Sequence, residues 1–90
     1  MNKPIVSIVT PNFNKGQFVE DCIRSVMGQT LLDWELLFID DFSTDGSDEL
    51  AKNLSVIDER VNYQQNQGKK GASSCRNQGL ASAKGEYVLF

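Results

Sequence analysis

The chain has 90 residues, 40% of them hydrophobic and 23% charged, which gives room for one small domain with a modest core. The net charge is -3 and the only basic cluster is Lys69-Lys70, which argues against a nucleic-acid surface. Histidine is absent and cysteine is limited to Cys22 and Cys75, which excludes the common zinc centres and histidine-based catalytic triads.

Ile5-Val6-Ser7-Ile8-Val9 is short, β-branched and nearly all apolar, like a strand buried on both faces. Pro11 is expected to end it, since proline gives no N–H to a ladder. Phe18, Val19, Cys22, Ile23, Val26 and Met27 then recur at helical spacing and predict an apolar stripe, with Gly28-Gln29-Thr30 as its stop. Glu35 to Ile39 reads as a second buried strand, with Asp40 and Asp41 at its carboxyl end. Ser43 to Ser47 carries turn and cap chemistry, Ser43 and Thr44 serving as caps of a short helix that bears Leu50, Ala51 and Leu54. Val61 to Gln64 is a more polar strand, placed nearer an edge. A loop with glycine and lysine runs from Gln65 to Gly71. A third helix then sets Ala72, Cys75, Gly79, Leu80 and Ala83 on one face, with Gly85 as its left-handed cap. Glu86 to Phe90 begins a fourth strand. Cys22 and Cys75 both fall on helical apolar patterns and are read as core thiols.

This alternation predicts an α/β, Rossmann-like three-layer parallel sheet of strand order 3-2-1-4. Ligands bind such sheets beyond the carboxyl ends of the strands at the switch point, here between strands 1 and 4. That rule singles out Pro11 to Asn14 and Asp40 to Ser43. The chain closes on an apolar strand that needs cover, which reads as the amino-terminal part of a longer domain and leaves room for a homo-oligomer. No run is long enough for a transmembrane helix and no secretory signal follows Met1, so a cytoplasmic place is expected, with any membrane association supplied by other parts of the protein.

Three places carry candidate chemistry. Phe13 is an aromatic on a polar loop; it either stacks on a nucleobase or packs on the neighbouring helix. Asp40 and Asp41 alternate in direction at a strand end, so one can face a ligand while the other turns to helix termini. A carboxylate in the crevice can accept the imide N–H of uracil or bind ribose hydroxyls; the competing use is helix capping. The start of the third helix offers free N–H groups, and Arg76 adds a planar fork of donors, for an anion or for a surface salt bridge.

Read together, these segments resemble family 2 of the nucleotide-sugar glycosyltransferases over Pro4 to Phe90. Val6 to Asn14 is similar to V-S-I-V-I-P-x-[YF]-N. Cys22 to Thr30 followed by Trp34-Glu35-Leu36 is similar to C-[IL]-x-S-[IV]-x-x-Q-[ST] and its W/Y-E-[IL]. Ile39 to Ser47 resembles V-D-D-G-S-T-D-G-[ST], Gly71 to Gly79 resembles G-x-S-x-A-R-N-x-G, and Ala83 to Phe90 resembles A-x-G-E-Y-[IL]-x-F. The resemblance implies the amino-terminal half of a GT-A fold, a nucleotide-diphosphate sugar donor of the UDP type and a saccharide acceptor, in polysaccharide or cell-envelope glycan synthesis. It assigns nucleotide binding to Pro11, Phe13, Asn14, Asp41 and Arg76. It implies Mg²⁺ or Mn²⁺ for the full-length enzyme, held by a D-x-D type motif beyond Phe90. Neither a catalytic residue nor a metal ligand falls within these residues, so the 90 residues alone are expected to be inactive. Phe42 stands where the family often has glycine or asparagine; it is expected to narrow the pocket or pack under the second helix. Lys70 replaces the asparagine common before Gly71.

Rival readings fit less well. A receiver domain needs its acidic pair after strand 1, and a dinucleotide-binding unit needs G-x-G-x-x-G there, where Pro11-Asn12-Phe13-Asn14 stands. A transferase-like binding or scaffold module without catalysis is the remaining alternative, and acidic residues just past Phe90 distinguish the two.

Overall fold

The computed structural model describes residues 4–28 and 33–90. Its elements run β1 (Val6–Asn12), α1 (Gly16–Met27), β2 (Trp34–Asp40), α2 (Ser47–Ile57), β3 (Val61–Gln65), α3 (Ala72–Ser82) and β4 (Tyr87–Leu89). The four strands form one sheet of order β3-β2-β1-β4, with every neighbouring pair parallel. This is the expected α/β topology, with its switch point between β1 and β4.

β2 is buried along its whole length, and its alternation divides the core. Trp34, Leu36 and Phe38 point to one face, where they pack with Val19 and Ile23 of α1 and Ala51 and Leu54 of α2. Leu37 and Ile39 point to the other, against Val9 and Cys75 of α3. The sheet is therefore covered on both sides, as continuous apolar strands require.

Pro11 does not end β1. The strand continues through it to Asn12, with Pro11 in register with Ile39. Val6 N–H donates to Asp33 and Asn12 C=O accepts from Asp41, so the even-numbered residues of β1 bond to the β2 side. The Pro11 nitrogen therefore faces the β4 side, where the described pairing runs from Val6 with Tyr87 to Ile8 with Leu89. Within the described pairing the missing N–H therefore breaks no ladder bond.

The helical stripes are narrower than the sequence suggests. On α1 Val19 and Ile23 are buried, but Phe18 and Cys22 are exposed, so Cys22 is not a core thiol. On α3 only Cys75 and Gly79 are buried, while Ala72 and Leu80 face solvent. α1 ends at Met27, and the Gly28 N–H returns to Arg24 C=O; Gln29 and Thr30 of the expected stop lie outside the described residues. Ser43 and Thr44 do not cap α2. Asp45 does this work from outside the helix. One carboxylate oxygen accepts the Ser47 N–H at 3.0 Å and the other accepts the Gly16 N–H of α1 at 3.0 Å. The hydrogen bonds from the Ser47 hydroxyl, the Ser47 N–H and the Gly16 N–H hold the Asp45 carboxyl below its ordinary range.

Gly85 is not a left-handed cap either; among the described glycines only Gly46 and Gly71 have positive φ. Its role is close approach. A Cβ there would lie 2.8 Å from the Ser7 nitrogen and 2.9 Å from the Val6 carbonyl carbon, both backbone atoms that cannot turn aside. The Gly85 N–H donates to Ser7 Oγ at 2.8 Å, Ser7 Oγ donates to Glu35 at 2.6 Å, and the Lys84 N–H donates to the same Glu35 oxygen at 2.7 Å. This chain of bonds satisfies a buried carboxylate and fixes β4 beside β1. Gly85→Ala is expected to lower stability by about 1–3 kcal/mol through overpacking. An unchanged urea midpoint for that variant would show that the contact relaxes freely.

A candidate donor cleft at the sheet switch point

The carboxyl ends of β1 and β2 are tied by side chains. Asn12 Nδ2 lies 3.0 Å from Asp40 Oδ1, 3.1 Å from Ser43 Oγ and 2.8 Å from Ser47 Oγ. The other Asp40 oxygen accepts the Ser43 N–H at 2.9 Å. Asp40 is thus the member of the acidic pair that turns inward and braces the β1 and β2 loops. Asn14 takes a positive φ of 50 and joins the same brace: its N–H donates to Ser43 Oγ at 3.0 Å and its Oδ1 accepts the Thr44 N–H at 2.7 Å. Ser43 and Thr44 therefore hold the β1 loop.

Asp41 continues the alternation onto the α3 side. It is 6% exposed. The Asn66 amide donates to Oδ1 at 3.0 Å, and the Gly71 N–H lies 3.1 and 3.0 Å from the two oxygens. Burial alone would raise its pKa. The bonds from Asn66 and Gly71 and the charge of Lys70 outweigh burial and hold the carboxyl below its ordinary range. Asp41 is therefore an ionised acceptor at neutral pH. Beneath it Cys75 is buried, and burial followed by the Asp41 charge pushes its thiol up to about 11, so it stays protonated.

Asn66 was not singled out by sequence reading. Besides Asp41 it donates to Lys69 C=O at 2.9 Å and accepts from the Gly68 N–H at 2.9 Å and Ser74 Oγ at 3.1 Å. It organises the β3–α3 loop around Asp41. A lone asparagine in a polar loop gives no pattern by which to find it.

Beside these loops lies a cleft of about 260 Å³. Pro11, Asn12, Phe13, Lys15, Asp41, Ala72 and Arg76 line it together. Asn14 does not line it; it supports the loop that does. Phe13 is 43% exposed and carries the Lys70 ammonium 3.2 Å from its ring centroid. Arg76 is exposed and has no ion pair among the described residues, so its guanidinium is open to the cleft. The surface salt bridge that sequence reading allowed for Arg76 does not form. Phe42 is not among the residues lining the cleft: it is 41% exposed with φ 62, the left-handed region in which glycine or asparagine is at ease. The turn's backbone explains the glycine expected there.

The architecture is that of a GT-A glycosyltransferase. The mannosyltransferase PcManGT from Pyrobaculum calidifontis, solved in complex with GDP-Man and Mn²⁺, matches with a TM-score of 0.84 at 21% identity, over 98% of this chain and 27% of that one. The chain belongs to glycosyl transferase family 2, whose model matches residues 7–90. Among its relatives, the glycosyltransferase TuaG of Bacillus subtilis (strain 168), provisionally placed in teichuronic acid biosynthesis, is 39% identical over 98% of this chain. The GalNAc(5)-diNAcBac-PP-undecaprenol β-1,3-glucosyltransferase of Campylobacter jejuni is 36% identical over 97%. The chain spans 35% and 28% of the lengths of these two relatives.

No group of three or more acidic, cysteine or histidine side chains among the described residues could hold a metal ion. Asp40, Asp41 and Asp45 are each engaged by hydrogen bonds from their own loops. The donor set present here does not by itself fit Mg²⁺ or Mn²⁺. Among the described residues no helix is long and apolar enough to cross a membrane.

Proposed function

We propose that this chain forms the donor-nucleotide cleft of a glycosyltransferase that moves a sugar from a nucleotide diphosphate, of the UDP type, to a saccharide acceptor in cell-envelope glycan synthesis. The observation that carries the reading is the convergence, in one cleft at the sheet switch point, of an open aromatic ring, an ionised buried carboxylate and an unpaired guanidinium. Phe13 comes from the loop after β1, Asp41 from the loop after β2 and Arg76 from α3. The ring offers a π-face to a base. With the Gly71 N–H and Asn66 already on Asp41, little acceptor capacity remains, which suits the single imide N–H of uracil. Arg76 and Lys15, both lining the cleft, offer positive charge to phosphate oxygens. The relatives named for envelope glycans and the neighbour solved with GDP-Man and Mn²⁺ support a nucleotide-sugar donor and a divalent metal in the whole enzyme. In this reading the metal ligands and the base that activates the acceptor belong to the rest of the protein.

Backbone amide spectra during titration with UDP, ADP and GDP test the proposal. UDP is expected to shift the amides around Phe13 and Asp41, with little effect from ADP. Arg76→Ala is expected to weaken UDP binding roughly tenfold and uridine binding much less, because a charge-assisted contact to phosphate is lost. A response to GDP in place of UDP would replace the uridine donor with a guanosine one. No response to any nucleotide in a folded sample would remove the donor-cleft reading and favour a module without catalysis.

A further inference from the structure

Lys70 is the departure from the family pattern that the donor cleft does not explain. It is an exposed lysine, a residue that ordinarily leaves its ammonium in water at little cost. Here Nζ sits 3.2 Å from the Phe13 ring centroid and 3.4 Å from the Asp41 carbonyl oxygen. The backbone on either side is anchored: Lys69 C=O accepts from Asn66, and the Gly71 N–H is held by the Asp41 carboxylate. Phe13 is anchored in the same way, between Asn12 and the Asn14 bonds to Ser43 and Thr44. The ring and the ammonium are thus brought together by two fixed loops. Phe13 lines the cleft, whereas Lys70 does not.

We infer that Lys70 is a positioning residue for base recognition: its ammonium braces the Phe13 ring from outside the cleft, so that the opposite face is held toward the nucleobase. The inference rests on the donor-cleft reading above. An unbraced phenylalanine on a loop tip samples several rotamers and must be ordered when the base binds, which lowers affinity. The cation attracts the ring electrostatically and removes part of that freedom beforehand. The second contact, to the Asp41 carbonyl, ties the ring's position to the carboxylate that reads the base edge.

The test is calorimetric titration of the full-length protein with UDP and with pyrophosphate, which has no base. The variants are Lys70→Met, which keeps the aliphatic stem, Lys70→Arg, which keeps the cation, Phe13→Leu, and the Phe13→Leu/Lys70→Met pair. Lys70→Met is expected to weaken UDP about two- to fivefold and leave pyrophosphate unchanged. Lys70→Arg should bind like the wild type, and Lys70→Met should add nothing in the Phe13→Leu background. Thermal unfolding of each variant confirms that the fold is intact. An equal loss for pyrophosphate would overturn the inference by making Lys70 a phosphate contact. Tighter UDP binding by Lys70→Met would overturn it by making the lysine a competitor of the base, and unchanged binding would leave the lysine without a role. If the folded wild type binds no nucleotide, the donor-cleft reading falls and takes this inference with it.

Discussion

An Asp41→Ala protein is expected to lose nucleotide binding and part of its stability together. The carboxylate is the acceptor for the Gly71 N–H and for one amide bond of Asn66, in a site that is 6% exposed. Removing it leaves the first backbone N–H of the α3 approach without a partner, at a cost of about 1–3 kcal/mol. It also removes the charged acceptor proposed to read the base, which lowers UDP affinity roughly 10- to 100-fold. Urea denaturation and UDP titration measure the two losses separately. The pKa direction adds a pH signature. Asp41 is held below its ordinary value of 3.8 in the folded chain, so its stabilising contribution is complete above that value. The contribution is lost as pH falls through the lower, folded-state pKa. The stability gap between wild type and Asp41→Asn is therefore expected to narrow as pH is taken below about 4. A gap of constant size down to the acid transition would mean that the charge contributes nothing and only the shape of the side chain matters.

Leu37→Ala is expected to be severely damaging to the core. Leu37 is fully buried in the middle of β2, packed with Val9, Ile39 and Cys75. Truncation there costs about 2–5 kcal/mol in transfer and cavity energy. The variant is therefore expected to unfold at a much lower urea concentration, and its cleft should lose order with it, because Asp40 and Asp41 extend from the same strand. A midpoint within error of the wild type would mean that the α3 layer collapses onto the space without loss.

The sheet was legible because its signals are short-range and redundant. β2 is an unbroken apolar run, β3 is visibly more polar, and alternation with helices leaves few parallel topologies. The split between Asp40 and Asp41 followed from strand alternation alone, although which of them lines the cleft did not. The misreadings share one cause: periodicity says which residues lie on one side of a helix, but not how wide the facing surface is. α1 presents two adjacent apolar rows, and only the row of Val19 and Ile23 meets the sheet, so Phe18 and Cys22 remain outside. Gly85 was read by its place after a helix, when its reason is a strand backbone 78 positions earlier. Asn12, Glu35 and Asn66 carry the polar network between strands, and such bonds leave no trace in local sequence.

The bond between Gly85 and Ser7 also has a consequence for how the chain is made. β1 is made before its neighbours β2 and β4, yet it is an interior strand paired on both edges. β2 can close one edge early. The other waits for Tyr87–Leu89, which are made after all the intervening elements. At 5–20 residues per second, that interval is roughly 4–15 s, during which an apolar strand edge is open to other nascent chains. Pro11, with no N–H on that same edge, shortens the stretch of backbone available for such unwanted pairing.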